Sequence, residues 1–162
     1  KGGSIRVIFS KKKRKINEKS LIKSISVEKK LGLGSPASFI KLKKKNNILK
    51  KKILSFVQTH KKKNSKFVGY GASIGTTTLI YEFGLGKYID NLFDDEKRRH
   101  NLYSPGYKIP CYSPENIYEE MPDYIIVLAW RYYEKIISKH QKYLDQGGKF
   151  IIPLPEFKII SK

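Results

Sequence analysis

The sequence has few of the residues that disulfides and metal sites need. Among its 162 residues there is one cysteine, Cys111, so a disulfide within the chain and a zinc site built from cysteines are both excluded. The three histidines, His60, His100 and His140, are far apart, and none has metal-ligand spacing from another histidine or from the cysteine. We therefore expect no metal site in this chain.

Long apolar runs are missing as well. No stretch approaches the roughly 18 consecutive apolar residues that a membrane-spanning helix needs, and the chain carries no signal-peptide pattern. These two absences predict a cytoplasmic protein with no membrane partner.

Acidic residues are scarce in one part of the chain only. Residues 1–66 contain 22 Lys+Arg and 2 acidic residues, whereas residues 67–162 contain 12 of each, so the net charge of +20 lies wholly in the first part. This asymmetry predicts a boundary near Asn64, with one domain over residues 1–63 and another over residues 64–162. Lysine exceeds arginine heavily, and the interleaved aromatic residues that stack on single strands are lacking, so nucleic acid is a disfavoured partner.

The first domain is predicted to contain a strand and two helices. Residues 5–9 are typical of a short strand, and residues 16–31 of a helix that ends at Gly32. Ser35 and Pro36 then open a long amphipathic helix over residues 35–58, with Ser35 as its N-cap. Its apolar residues form a heptad-like stripe: Phe39, Leu42, Leu49, Ile53 and Phe56.

Strands and helices alternate in the second domain. Apolar runs predict strands over residues 67–70, 88–93, 108–112, 124–129 and 150–152, with Pro153 and Pro155 closing the last one. Helical patterns cover residues 76–83 and 132–144, and residues 114–120 suggest one or two helical turns. Alternation at short spacing predicts an α/β fold with a Rossmann-like three-layer parallel sheet, preceded by the strand and the two linker helices.

A glycine turn follows the first of these strands. Gly69 and Gly71 interrupt an apolar run directly before a helix, where a backbone can approach an anionic group at the helix N-terminus. We take Gly69, Gly71, Ala72 and Ser73 as candidate substrate-binding residues, although close helix–strand packing explains the small residues equally well. The third glycine of a dinucleotide fingerprint is replaced by Ile74.

Two further candidates end later strands. Asp94 follows the second strand, where a dinucleotide enzyme places its ribose-binding acid. Trp130 follows the fourth strand, at the edge where open α/β sheets bind ligands. Both are candidate substrate-binding residues. Each also has a purely structural explanation, because Asp94 could cap a loop and Trp130 could pack against the core.

Several of these motifs, taken in order, resemble the C-terminal domain of the SAM-dependent sugar C-methyltransferases. The resemblance covers nearly the whole chain, because residues 2–6 resemble the segment that closes the SAM-binding domain of the family and residues 35–58 the helix that joins the two domains. The motifs within the second domain are Gly69-Tyr70-Gly71-Ala72, Asp94-Asp95, Tyr103-Ser104-Pro105-Gly106, Leu128-Ala129-Trp130 and residues 147–155.

The resemblance implies a C-terminal portion of an enzyme that methylates nucleotide-linked keto-sugars. This portion would help to form the sugar-nucleotide cleft, SAM would bind in an upstream domain outside this chain, and the portion alone would be inactive. The alternative is a stand-alone nucleotide-binding or interaction module whose basic helices bind nucleic acid or a protein partner.

The chain departs from the family pattern at three places. Lys1 occupies the position of a histidine that the family associates with proton abstraction, so the catalytic residue is left unassigned. A lysine could act as a base only if burial lowered its pKa considerably. Gly75-Thr76-Thr77 replaces a usual Lys-Gly-Asn, and Arg131 replaces a usual amide.

Overall fold

The computed structural model describes residues 9, 11–12 and 18–162. It divides into two compact units, one ending at Asn47 and one running from Ile48 to Lys162. The predicted strand over residues 5–9 lies outside the described residues except for Phe9. The proposed domain boundary between residues 63 and 64 stays a prediction.

The first unit contains a helix and the start of the next. Helix α1 covers Glu18–Leu31 and helix α2 begins at Pro36 and ends at Lys61, close to the predicted ranges. Gly32, with a φ of +67°, ends α1, and the N–H of Leu33 donates to the carbonyl of Glu28 at 3.1 Å, as in a Schellman cap. The hydroxyl of Ser35, the predicted N-cap of α2, donates to the carbonyl of Gly32 at 3.0 Å.

Helix α2 is buried only in its second half. Leu49, Ile53 and Val57 lie in the core of the second unit, whereas Phe39 and Leu42 of the predicted stripe are exposed. The stripe therefore marks a packed face only from Leu49 onward.

The second unit is built on a six-stranded sheet with the order β3-β2-β1-β4-β5-β6. The first five strands pair in parallel, as predicted. The last pairs antiparallel with β5, so the sheet is mostly parallel and carries one antiparallel edge strand that was not predicted. The strands are β1 (Phe67–Tyr70), β2 (Leu92–Phe93), β3 (Cys111–Tyr112), β4 (Tyr124–Val127), β5 (Lys149–Ile152) and β6 (Lys158–Ile160).

Several elements are shorter than predicted. The strand expected over residues 88–93 is a regular strand only at Leu92 and Phe93, although Asp90 and Asn91 also bond the backbone of β1. Its predicted start at Tyr88 is instead a turn, in which the N–H of Tyr88 donates to the carbonyl of Leu85 at 2.9 Å. The helix expected over residues 132–144 is interrupted at His140. The helices of this unit after α2 are α3 (Ile74–Phe83), α4 (Ile117–Glu120), α5 (Tyr133–Lys139) and α6 (Gln141–Asp145).

Two apolar clusters cover the two faces of the sheet. On one face Phe67, Ile126 and Ile151 pack with side chains of α2 and α3. On the other face Val68, Ile125 and other strand residues pack with side chains of α4, α5 and α6. Every residue of β1 and β4 is buried, as continuous apolar strands of parallel sheets usually are. Each fully buried large apolar side chain stabilises such a core by about 1.5–3 kcal/mol.

Candidate functional site

The glycine turn lies at the carboxyl end of β1, the strand on which the order of the sheet reverses. β1 pairs with β2 on one side and with β4 on the other, and the chain then proceeds outward in both directions. Ligands of open α/β sheets bind in the crevice at such a point. The turn predicted from the sequence is therefore at the expected edge of the sheet.

The two glycines of the turn differ in what surrounds them. A Cβ on Gly69 would lie 2.6 Å from Leu92 and 2.7 Å from Leu128, so this residue is small because two core side chains meet over it. Gly71 has a φ of +111°, and a Cβ there would lie 3.0 Å from Ala129 and from Thr76. Both glycines thus meet a packing requirement, and Gly71 meets a backbone requirement as well.

Asp94 is joined to the glycine turn by hydrogen bonds. Asp94 is buried, with 7% of its surface exposed. Its Oδ2 accepts the N–H of Ala72 at 2.6 Å, and its Oδ1 accepts the N–H of Glu96 at 2.8 Å. Arg99 Nη1 contacts both oxygens, at 2.9 and 2.8 Å. The His100 ring bonds the backbone carbonyl of Asp94 at 2.7 Å. The carboxylate therefore ties the end of β2 to the turn after β1.

Helix α3 begins at this turn. Ser73 precedes it with an extended backbone, and its carbonyl accepts the N–H groups of Thr76 and Thr77 at 3.0 Å. The hydroxyls of both threonines also donate to that carbonyl, so both side chains contribute to the first turn of α3. Ile74, in the place of the third fingerprint glycine, is 90% exposed.

Trp130 follows β4 and reaches the same region of the molecule. The backbone N–H of Ala129 donates to the carbonyl of Tyr70 at 3.0 Å, which holds the end of β4 beside the glycine turn. Trp130 and Ala72 are both partly buried and pack against the same apolar cluster. The guanidinium of Arg131 lies 4.8 Å from the centre of the indole ring. The structure thus brings together Gly71, Ala72, Asp94 and the start of the Trp130 segment.

A cavity of about 450 Å³ opens beside the turn. Ala72 lines it after the glycine turn, Thr77 and Tyr81 line it from α3, and Pro105 lines it from the loop before β3. Small-molecule sites commonly have volumes of about 300–1,000 Å³. Pro105 of the Tyr-Ser-Pro-Gly motif therefore lines a space large enough for part of a ligand.

Sequence reasoning missed a chain of polar groups on the other face of the sheet, which runs from the buried Tyr70 and His140 to the exposed Asp95. The hydroxyl of Tyr70 donates to Asp95 Oδ2 at 2.9 Å and lies 3.2 Å from His140 Nε2. The hydroxyl of Tyr118 lies 2.9 Å from His140 Nδ1. Since Tyr70 donates to Asp95, its oxygen accepts from Nε2–H, and Tyr118 donates to Nδ1. Lys139 also binds Asp95.

The surroundings of these groups shift their proton affinities. Burial lowers the pKa of His140, and the charge of Lys139 acts in the same direction. Burial raises the pKa of Tyr70 far above its ordinary value. Burial alone would raise the pKa of Asp95, but hydrogen bonds from Lys139 and Tyr70 lower it. We therefore expect a neutral His140 and an ionised Asp95 at neutral pH.

The remaining predictions concern Lys1, metal ions and membrane spans. Lys1, at the position of the usual histidine, lies outside them. Within residues 9, 11–12 and 18–162, no group of three or more His, Cys, Asp or Glu residues could hold a metal ion. Across the same described part of the chain, every helix is too short or too polar to cross a membrane.

Comparison with known proteins gives a family match. A family model described as the C-methyltransferase C-terminal domain matches residues 1–155. The curated protein C-methyltransferase NovU of Streptomyces niveus is 38% identical over 94 residues, which are 57% of this chain and 22% of that protein. The match thus spans about a fifth of the length of this relative.

One solved structure also aligns with part of this chain. The crystal structure of UDP-D-quinovosamine 4-dehydrogenase from Vibrio fischeri aligns with a TM-score of 0.43 and 16% identity, over 60% of this chain and 93% of that chain.

Proposed function

The chain belongs to the family of C-methyltransferase C-terminal domains, as its resemblance indicated, and from that premise we propose a specific role. It forms the substrate-side domain of a SAM-dependent C-methyltransferase that acts on nucleotide-linked keto-sugars. Its crevice at the end of β1 helps to form the cleft that receives the sugar nucleotide. The keto-sugar class follows from the resemblance of the ordered motifs.

One observation carries this proposal. Residues from three strand ends, Gly71, Asp94 and Ala129, are joined by contacts at the point where the strand order reverses. A cavity of about 450 Å³ lies beside this group, lined by Ala72, by residues of α3 and by Pro105. A concave site at the switch point of a largely parallel sheet is the usual ligand position of such folds, and it supports a substrate role here.

The sheet supports a finer classification as well. We classify the second unit as Rossmann-like, because five of its strands are parallel in the order 3-2-1-4-5 and helices cover both faces. The antiparallel β6 is an addition at the edge. Such a fold hosts many functions, so the substrate-binding role rests on the site, and the keto-sugar class on the ordered motifs, and neither rests on the fold.

The crevice does not fit SAM or a dinucleotide well. Such ligands use an acid at the end of the second strand to hold ribose hydroxyls. Both oxygens of Asp94 already accept protein donors, and Ile74 replaces the third glycine. These features support the proposal that SAM binds outside this chain and supplies the methyl group there.

In the proposed reaction a base, which the described residues do not identify, takes the proton beside the ketone of the sugar. SAM, bound outside this chain, would supply the methyl group to the enolate carbon as its methyl–sulfur bond breaks and a thioether leaves. The part of this chain in that reaction is to hold the nucleotide and to keep the sugar oriented. Ala72, Trp130 and the N-terminus of α3 at Ser73 are the proposed contacts, since α3 directs free N–H groups toward a bound anion. We propose a cytoplasmic location and an upstream SAM-binding domain as partner.

Methyl transfer by the intact protein tests this function. The substrates are SAM with a labelled methyl group and a nucleotide-linked 4-keto-sugar, and the product is identified by mass. Ala72→Leu adds three heavy atoms at the mouth of the cavity, so it should raise the KM for the sugar nucleotide at least about ten-fold and leave the KM for SAM unchanged. Ser138→Leu, at an exposed position of α5, is the matched control and should change neither KM.

Three results would contradict the proposal. The intact protein could transfer no methyl group to any nucleotide-linked keto-sugar. Ala72→Leu could behave like Ser138→Leu. Finally, SAM could bind saturably to residues 48–162 with a dependence on Asp94, and this result would show that the proposed ligand of the crevice is wrong.

A further inference from the structure

An arginine that the sequence did not single out lies at the edge of the crevice. Arg99 ends the short 3₁₀ turn after β2, and its guanidinium contacts the carboxylate of Asp94. We propose that Arg99 binds the diphosphate of the ligand and that Asp94 serves to hold this arginine in place. The inference rests on the proposed function for the identity of the ligand, because it assigns the residue that recognises its phosphates.

The first argument is the saturation of Asp94. Its two oxygens accept two backbone N–H groups, from Ala72 and Glu96, and both also contact Arg99 Nη1. The side chain of Asp94 is 9% exposed. A ribose hydroxyl could bind this carboxylate only by displacing a donor, which would leave a buried N–H group or a buried charge without its partner. Asp94 is therefore a support for its neighbours.

The second argument is the donor capacity of Arg99. A guanidinium carries five N–H donors in a planar fork, and both bonds to Asp94 come from Nη1. The side chain of Arg99 is 40% exposed, so the guanidinium can meet solvent and ligand while one edge is fixed by a buried carboxylate. A fixed planar fork suits the paired oxygens of a phosphate better than a flexible ammonium does.

The third argument is position. Arg99 Nη1 and the N–H of Ala72 contact the same oxygen, Asp94 Oδ2. Ala72 belongs to the turn that opens α3 and also lines the cavity. The Asp94 carboxylate thus bridges the Arg99 guanidinium and the turn where a diphosphate is expected.

The neighbouring carboxylates do not oppose an anion here. Glu96 binds Arg98 at 2.9 Å, and Asp95 binds Lys139. With Asp94 bound to Arg99, each acid of this stretch has its own cation. The charge that faces a ligand is consequently not dominated by unpaired carboxylates.

The competing explanation is that Arg99 only fastens its loop to Asp94. In that case its loss would lower stability and would leave the affinity for anions unchanged. Arg98, the adjacent residue, provides a matched control because its side chain is 88% exposed and binds Glu96 two residues earlier. Arg98 and Arg99 carry the same charge in the same turn, and they differ in their attachment to the glycine turn.

The experiment measures inorganic pyrophosphate binding to the intact protein by calorimetry at fixed salt, together with thermal unfolding. Arg99→Gln should weaken pyrophosphate binding about ten- to hundred-fold, which is the loss of one or two charge-assisted hydrogen bonds. Arg99→Lys keeps the charge and should weaken binding less, which also provides a test if Arg99→Gln folds poorly. Arg98→Gln should change the affinity less than about two-fold.

Each result decides the matter. If pyrophosphate does not bind, or if both Arg99 variants bind it like the unchanged protein, the inference is wrong. Equal losses in Arg98→Gln and Arg99→Gln would show general electrostatic attraction and would also overturn it. Loss of pyrophosphate binding in Arg99→Gln, with no methyl transfer to any sugar nucleotide by the unchanged protein, would uphold the anion site and reject the proposed function alone.

Discussion

Replacing Gly71 with alanine should lower the stability of the second unit by about 2–4 kcal/mol. Gly71 has a φ of +111°, which L side chains rarely adopt, and such backbone strain costs about 1–3 kcal/mol. The new methyl group would also lie 3.0 Å from Ala129 Cβ and 3.1 Å from its backbone nitrogen. Overpacking of this kind costs about 1–3 kcal/mol, and the two costs overlap in part.

Two other glycines separate these two costs. Gly84 has a φ of +66° with no atom within 4 Å of a built Cβ, so Gly84→Ala adds backbone strain without crowding and should cost about 1–2 kcal/mol. Gly75 lies in the first turn of α3, and the nearest atom to its Cβ would be Ser73 Oγ at 3.9 Å. Gly75→Ala adds neither strain nor crowding and should stabilise by up to about 0.5 kcal/mol.

Urea unfolding followed by fluorescence gives the measurement. Trp130 is the single tryptophan of the chain and packs against the core of the second unit, so its emission reports the unfolding of that unit. The expected order of stability is Gly75→Ala, the unchanged protein, Gly84→Ala, then Gly71→Ala. If Gly71→Ala is no less stable than Gly84→Ala, the crowding argument fails. If Gly71→Ala keeps full stability and loses only ligand binding, the glycine serves the ligand and not the packing.

Two further predictions concern buried polar groups. Burial lowers the pKa of His140 below its ordinary value of 6.5, so the unfolded chain binds a proton that the folded chain does not. Its contribution to stability is complete above about pH 6.5 and is lost as pH falls toward the folded pKa, by at most about 1.4 kcal/mol per pH unit. Urea unfolding between pH 8 and pH 5 should show this slope in the unchanged protein and not in His140→Gln, and equal slopes would contradict the assignment. Tyr143→Phe should lower the free energy of unfolding by about 1–3 kcal/mol in the same assay, because the buried hydroxyl donates to the carbonyl of Pro122 at 2.8 Å and accepts the N–H of Lys149 at 3.1 Å. Neutral substitutions scatter by about 0.5 kcal/mol, so a smaller loss than this would show that water replaces the hydroxyl.

The strands β1 and β4 of the second unit were predictable because their residues are buried and form uninterrupted apolar runs in the sequence. Tyr124–Val127 and Phe67–Tyr70 are continuous apolar runs, and strands covered on both faces need such runs. The carboxyl ends of parallel strands lie at one edge, so the convergence of Gly71 and Asp94 followed from the alternation of strands and helices. Long-range position was thus inferred from a local pattern and a general rule.

The elements that were missed depend on contacts between distant residues. β6 at Lys158–Ile160 is short and is exposed or partly exposed along its length, so only its pairing with β5 makes it a strand. The interruption at His140 coincides with hydrogen bonds between its ring and the hydroxyls of Tyr70 and Tyr118, neither of which is near it in sequence. Helical periodicity through residues 132–144 contains no sign of these partners.

The supporting role that we propose for Asp94 has the same physical origin. The sequence placed a carboxylate at the end of a strand, where a free carboxylate would hold ribose hydroxyls. Whether it is free depends on its neighbours in space, and here Ala72, 22 residues earlier, and Arg99, five residues later, both bind it. A buried carboxylate must be paired, since leaving it alone in an apolar surrounding costs several kcal/mol. The pairing that satisfies Asp94 also fixes Arg99 beside the turn, so the group that the crevice offers to a ligand is a cation in place of the expected acid.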